Sequence, residues 1–284
     1  MDLYSRVKSD LRLSRHATST QDRYLHQIRK FFAYFADRVP EQLDEADVRT
    51  YLHHLIEERR VKPTTHKMAV AAIKYLFTQT LGRPEVVARI PWPKVRDPLP
   101  TVLAHAELVA LFRAAETVLL RTILICAYAA GLRVSEACRV RVDDIDSQRG
   151  VLAVLGKGGK PRVTILSARL LRSLRAYWVE ARPAGPWLFP GREPSRPIDS
   201  RRVHAGFRRA VSAASIRRPN VHFHSLRHSF ATHMLEAGVD VRVVQALLGH
   251  ERLDTTTRYA QVRTDLIARL PDPLDLLASK VQSG

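Results

Sequence analysis

Cysteine is nearly missing from the 284 residues: Cys126 and Cys138 are the only two. They stand outside any C-x-x-C spacing and no Cys/His ladder accompanies them, which excludes a disulfide framework and a structural zinc. A reducing cytosol is the expected compartment. Long apolar runs are missing too. The longest, VLLRTILICAYAAGL from Val118 to Leu132, is broken by Arg121 and is too short to span a bilayer, and the N-terminal MDLYSRVKSD has no apolar signal core. No membrane partner is expected. There is no low-complexity tract and no internal repeat, so the chain reads as globular.

Acidic residues are the last shortage. Against 46 Lys and Arg stand 28 Asp and Glu, a net charge of +18. The surplus is +6 in residues 1–100 and +12 in residues 101–284. A basic tail would give one charged arm, whereas a surplus in both halves suits two bodies on one long polyanion, most simply nucleic acid.

The length suggests two domains. In the first part, STQDRYLHQIRKFFAYFAD repeats apolar residues at Tyr24, Ile28, Phe31, Phe32 and Phe35, a helical period with Ser19 as its N-cap. Two further helices are predicted in EADVRTYLHHLIEERR and in TTHKMAVAAIKYLFTQTLG, the second running from a Thr cap to Gly82. IPWPKVRDPLP, residues 90–100, carries four prolines that forbid regular helix and reads as a linker. The expected organisation is a helical domain at 1–90, a linker at 91–100 and a second domain at 101–284. In the second, GVLAVLGKGGKPRVTIL predicts a β-hairpin turning within Gly156–Lys160. Helices surround it.

Among these, HFHSLRHSFATHML (His222–Leu235) superimposes two patterns. Leu226, Phe230 and Met234 recur every four residues as a core stripe, and Gly238 stops the helix. His224 and Arg227 stand three apart on one helix face, where an imidazole beside a guanidinium suits a phosphate better than a core. His228 and His233 fit ordinary, partly buried positions. The spacing of His224 and His228 also allows a metal reading, but no glutamate follows His224 and no further ligand set lies nearby.

Four more stretches accompany it. Arg133 follows a Gly-Leu corner in AAGLRVSEACRV, and Lys157 stands in the hairpin turn. His250 follows the helix-stopping Gly249 in LLGHERLDTTTRYAQV, and Tyr259 lies nine residues on, in a short helix that Asp254 could cap. Taken singly, Arg133 reads as a helix-end ion pair, Lys157 as a turn residue, His250 as a helix terminus and Tyr259 as a half-buried aromatic. Together, GLRVSE, GKGGK, HSLRHSFATH, LLGH and the late tyrosine resemble, in order and spacing, the tyrosine recombinase (phage integrase) family. The resemblance extends over nearly the whole chain. It is closest to compact Xer-type or simple integrases, with no further DNA-binding domain expected before residue 15. Two departures are Ala104 and His105, where the family usually has a Ser or Thr cap, and the leucine-poor EACRVRVDDID.

The resemblance implies a mainly α fold with a small β-hairpin or sheet, built as a helical core-binding, SAM-like domain plus a catalytic domain. It implies a site-specific recombinase without metal or nucleotide cofactor, acting on double-stranded DNA with inverted-repeat core sites as a tetramer, and nucleoid-associated when on DNA. On this resemblance Arg133 and Arg227 are expected to grip the phosphate, with His250 as a further donor, Lys157 protonating the leaving 5′ oxygen, His224 as general base and Tyr259 as nucleophile. A type IB topoisomerase or a DNA-binding regulator on a recombinase scaffold would share much of this sequence. The tail TDLIARLPDPLDLLASKVQSG carries five leucines, interrupted by Pro271 and Pro273. It either folds back on its own domain or, as the family implies, docks its last helix on a neighbouring subunit.

Overall fold

The computed structural model describes residues 2–36, 38–95, 99–156, 161–249, 267 and 269–279. The chain divides into two compact units, Met1–Pro98 and Leu99–Gly284. The division falls inside the proline-rich stretch. Ile90 still belongs to the first unit's core, and Trp92 lies beneath the Lys74 ammonium at 5.4 Å.

The first unit is helical: α1 Leu3–Leu13, α2 Thr18–Tyr34, α3 Glu45–Glu57, α4 Pro63–Tyr75 and α5 Glu85–Ala88. Its core forms where the stripes of these helices meet, around Phe31, which packs edge-to-face on Tyr51 at 5.1 Å and on Phe77 at 6.2 Å. Helix α2 begins earlier than its sequence pattern predicts, after Ala17 rather than Ser19. Helix α4 begins with Pro63 in its first turn, where a missing N–H costs nothing, and gives way to a π-helical turn at Leu76–Thr80. The turn is tied to α1: Arg6 donates to the Thr80 carbonyl at 2.9 Å and the Thr80 hydroxyl donates to Asp10 at 2.7 Å.

The second unit holds α6 His105–Arg113, α7 Val118–Ala129, α8 Val134–Cys138, strands β1 Ile145–Asp146, β2 Val151–Leu155 and β3 Pro161–Ile165, then α9 Ala168–Ala181, α10 Ser200–Ala213, α11 His224–Glu236, α12 Val241–Leu248 and α13 Pro273–Ser279. The strands form one antiparallel sheet in sequence order, with Val151 opposite Ile165 and Leu155 opposite Pro161. The predicted hairpin is present, and β1 extends it by a strand the sequence pattern does not mark. Helix α7 is the central element, with Leu120, Ile123, Leu124, Cys126, Ala127 and Tyr128 all buried. Burial pushes the thiols of both free cysteines up to about 12, which leaves them unreactive. At the start of α6, where a hydroxyl cap is absent, the Glu107 carboxylate accepts from the Ala104 N–H at 2.7 Å and so meets one orphan donor from within the helix.

The tail packs on its own unit. Helix α13 lies against α6, α7, α9 and α11 and buries Leu274 and Leu277. Arg169 on α9 holds it, donating to the Leu274 carbonyl at 2.9 Å and pairing with Asp275 at 3.0 Å. Of the two arrangements the sequence leaves open, the single chain adopts the intramolecular one, because the leucines find an apolar groove among the helices of their own unit. No helix among the described residues is long and apolar enough to cross a membrane.

Candidate active site

Three segments of chain converge on one carboxylate. Gly131, at φ +62°, ends α7 in a left-handed turn that sets Arg133 at the start of α8. Its Cβ-free face is needed: a methyl there would lie 2.7 Å from the Phe230 ring. From that start Arg133 reaches forward three residues, so that its backbone N–H and its Nη1 each donate to Glu136 at 2.8 Å. Glu136 accepts from a second guanidinium as well, with Arg162 Nη1 at 2.9 Å and Nη2 at 3.0 Å. Arg227, from the first turn of α11, places Nη1 3.7 Å from the same carboxylate.

Arg227 is the most enclosed of the three. Its side chain is 3% exposed, against 10% for Arg162 and 32% for Arg133. It donates through Nη1 to the Gly131 carbonyl at 2.8 Å and through Nη2 to the Leu248 carbonyl at 2.5 Å, which leaves one N–H on each terminal nitrogen and Nε–H for other partners. Burial, and then the charge of Arg133, pull its pKa down to about 9, so it remains a cation at neutral pH. Burial alone would raise the Glu136 pKa, but the hydrogen bonds from Arg162 and from the Arg133 backbone outweigh it and hold the carboxyl below its ordinary range. One anion therefore faces three cations, a local surplus that an anionic ligand would complete.

His224 is the first residue of α11, and it is exposed. Its ring meets His228 edge-to-face at 4.6 Å and lies 6.4 Å from the His222 ring. Partial desolvation, then the neighbouring His228 and Arg227, depress its pKa to about 4, so the imidazole is neutral at pH 7. His222 is oriented by the Asn220 carbonyl at 2.8 Å and by Ser225 at 3.2 Å. His233 lies deeper, beside the Tyr128 hydroxyl at 3.0 Å and stacked on His105 at 4.0 Å. It belongs to the core.

Of the six predicted site residues, Arg133, His224 and Arg227 come together here, while Lys157, His250 and Tyr259 lie outside the described residues, as does Asp254. The segments leading to two of them are described. Strand β2 ends two residues before Lys157, and α12 ends in Gly249, left-handed at φ +66°, directly before His250. Two residues that sequence reasoning passed over complete the cluster: Glu136, three residues after Arg133 in GLRVSE, and Arg162, just past the hairpin turn. The i, i+3 spacing of Arg133 and Glu136 was the available signal.

Comparison with known proteins supplies the family. The profile of the Phage integrase family matches residues 101–265, and that of the phage integrase N-terminal SAM-like domain matches residues 3–85. The putative integrase/recombinase y4qK of Sinorhizobium fredii is 39% identical over 97% of this chain and 89% of its own length. The tyrosine recombinase XerD of Caulobacter vibrioides is 34% identical over 83% of this chain and 84% of its own. In fold, the crystal structure of a lambda integrase (75–356) dimer bound to a COC′ core site is similar with a TM-score of 0.74 at 20% identity, over 92% of this chain and 97% of that one. The chain thus belongs to the phage integrase family of tyrosine recombinases.

Proposed function

We propose that this chain is a site-specific DNA recombinase in which Tyr259 attacks the scissile phosphate. The Tyr259 oxygen forms the new bond to phosphorus, the bond to the 5′ oxygen breaks, the tyrosine proton passes to neutral His224, and Lys157 supplies a proton to the departing oxygen. Arg133 and Arg227 meet the non-bridging oxygens, with His250 as a third donor, and stabilise the charge that develops there. The phosphotyrosyl bond at the 3′ end keeps the energy of the broken one, so a 5′-hydroxyl from a partner strand reseals the backbone by the reverse steps without a nucleotide. The substrate is duplex DNA with inverted-repeat core sites, the assembly a tetramer, and the compartment the cytoplasm, at the nucleoid when on DNA.

The observation that carries this reading is the unbalanced cluster, in which three guanidiniums share one carboxylate beside a neutral imidazole. A buried cationic excess of that kind is costly until an anion fills it. The test is a nicked duplex carrying a candidate core site, chosen from short inverted repeats sought in the DNA beside the coding sequence. Wild-type protein is expected to form an adduct that survives denaturation, in EDTA and without nucleotide, and Tyr259→Phe to bind without forming it. An adduct from Tyr259→Phe, or cleavage that needs added magnesium, would overturn the assignment. DNA binding without any wild-type adduct would support the regulator reading instead.

A further inference from the structure

Glu136 makes four hydrogen bonds, and Arg162 provides two of them. The same guanidinium also reaches a third acceptor, for its Nε donates to the Leu247 carbonyl at 2.9 Å, next to the Leu248 carbonyl that Arg227 takes. Gly249 closes the arrangement, since a methyl there would fall 2.8 Å from Arg162 Cδ. One side chain on β3 therefore joins the hairpin strand, the carboxylate behind Arg133 and the end of α12.

Without Arg162, both Glu136 oxygens would each lose a donor inside a pocket where the carboxylate is 3% exposed. An ionised carboxylate so placed draws in the nearest available cation, because leaving it short of donors costs more than bending a neighbour. That neighbour is Arg227, already at 3.7 Å and just beyond hydrogen-bond range. We infer that Arg162 is a positioning residue that satisfies Glu136 and so keeps Arg227 free to meet the scissile phosphate. The inference rests on the recombinase reading. It assigns Arg162 no contact with DNA.

The test compares Arg162→Met, Glu136→Gln and the double variant on the nicked duplex, with half-site binding and thermal unfolding measured alongside. Arg162→Met should lower the single-turnover rate of adduct formation about 100-fold, the scale of a misplaced reacting group, while half-site binding changes little. Adding Glu136→Gln removes the charge that captures Arg227 and should restore at least about tenfold of that loss, a coupling that independent sites would not give. A merely structural Arg162 would show no such suppression, since the amide does nothing for the Leu247 carbonyl. If Arg162→Met does not fold, Arg162→Lys, which keeps a cation but loses the two-pronged grip, carries the same comparison. Wild-type-like cleavage by the single variant, or a double variant no better than the single, overturns the inference alone. A wild-type protein that forms no Tyr259-dependent adduct overturns the recombinase reading, and the inference falls with it.

Discussion

Among the described residues of the unit Met1–Pro98, the buried polar side chains are Gln27 and Thr80, neither of them charged, whereas the unit Leu99–Gly284 buries Glu136 and Arg227 together with Thr122, Thr164, Ser225, Ser229 and His233. The first interior is what hydrophobic collapse alone would select. The second is not, since a buried ion network gives no more stability than well-packed apolar side chains of the same volume. On the proposed reading its charges serve an anionic ligand, and the two interiors should then fail in different ways when cut.

The largest difference is expected between Arg227→Ala and Phe31→Ala. Arg227→Ala removes the most enclosed cation of the candidate site and, on the proposed mechanism, should lower adduct formation by about 1,000-fold or more while half-site binding is largely kept. Phe31→Ala leaves a cavity at the aromatic centre of the first unit and should cost about 3–5 kcal/mol of stability, with per-molecule cleavage by the folded fraction unchanged. Chemical denaturation and single-turnover cleavage, run on both variants, separate the two. An Arg227→Ala protein that cleaves normally would show that its burial is structural after all.

Glycine substitutions sharpen the same contrast at smaller amplitude. Gly82 in the first unit and Gly131 in the second are both left-handed, at φ +66° and +62°, but nothing lies within 4 Å of a methyl at Gly82, while one at Gly131 meets Phe230 and Leu248 below 3 Å. Gly82→Ala should therefore cost only the backbone strain, about 1–2 kcal/mol. Gly131→Ala adds overpacking, for about 2–4 kcal/mol in total, and should also slow cleavage, because Gly131 presents the carbonyl that fixes Arg227. Equal losses in the two variants would remove the argument that the corner is shaped for the site.

Protonation gives a subtler probe. With His224 at about 4 in the folded protein against 6.5 for the free side chain, the unfolded chain binds a proton that the folded chain refuses between those values. Stability from this group is therefore constant above pH 6.5 and declines as the pH falls from 6.5 toward 4. Imidazole NMR of the free protein, assigned with His224→Gln, should show no titration of His224 near 6.5. A midpoint there would mean that partial desolvation and the neighbouring His228 and Arg227 do not act on the ring, and the case for a neutral imidazole would weaken.

How much of this was legible in the sequence follows from what each feature depends on. Helix α11 was readable because Leu226, Phe230 and Met234 mark it by period, and the hairpin because β-rich runs flank a glycine turn. Helix α1 was not: only Val7 and Leu11 are buried in it, too few for a period, and its hold on the π-helical turn is made by Arg6 and Asp10 with a residue 74 and 70 positions away. In the site, Arg133, His224 and Arg227 were legible through their motifs. Glu136 and Arg162 were passed over because a charged residue in a polar stretch reads as surface, and only the meeting of α8, β3 and α12 encloses them. Burial of a charge is a tertiary fact that no local pattern announces.

The smallest expected effect lies at the tail, where cation and anion meet at the surface rather than in the interior. Arg169 and Asp275 are 40% and 64% exposed, so solvent screens their pairing to about 0–1 kcal/mol. Arg169 also donates to the Leu274 carbonyl, and its backbone N–H lies 3.4 Å from Asp272. Most of the attachment of α13 must come instead from Leu274 and Leu277, and from the Tyr128 hydroxyl that donates to the Pro273 carbonyl at 3.3 Å. Arg169→Ala should therefore shift the unfolding midpoint slightly and leave α13 in place, whereas Leu274→Ala with Leu277→Ala should release it. Protection of the α13 amides from hydrogen exchange, measured in the free protein and again on paired DNA sites, reads the outcome directly. Protection that is concentration-independent in the free protein fixes the intramolecular arrangement. Protection that appears only on paired sites would place the helix on a neighbouring subunit, and the groove beside α7 would then be filled from outside.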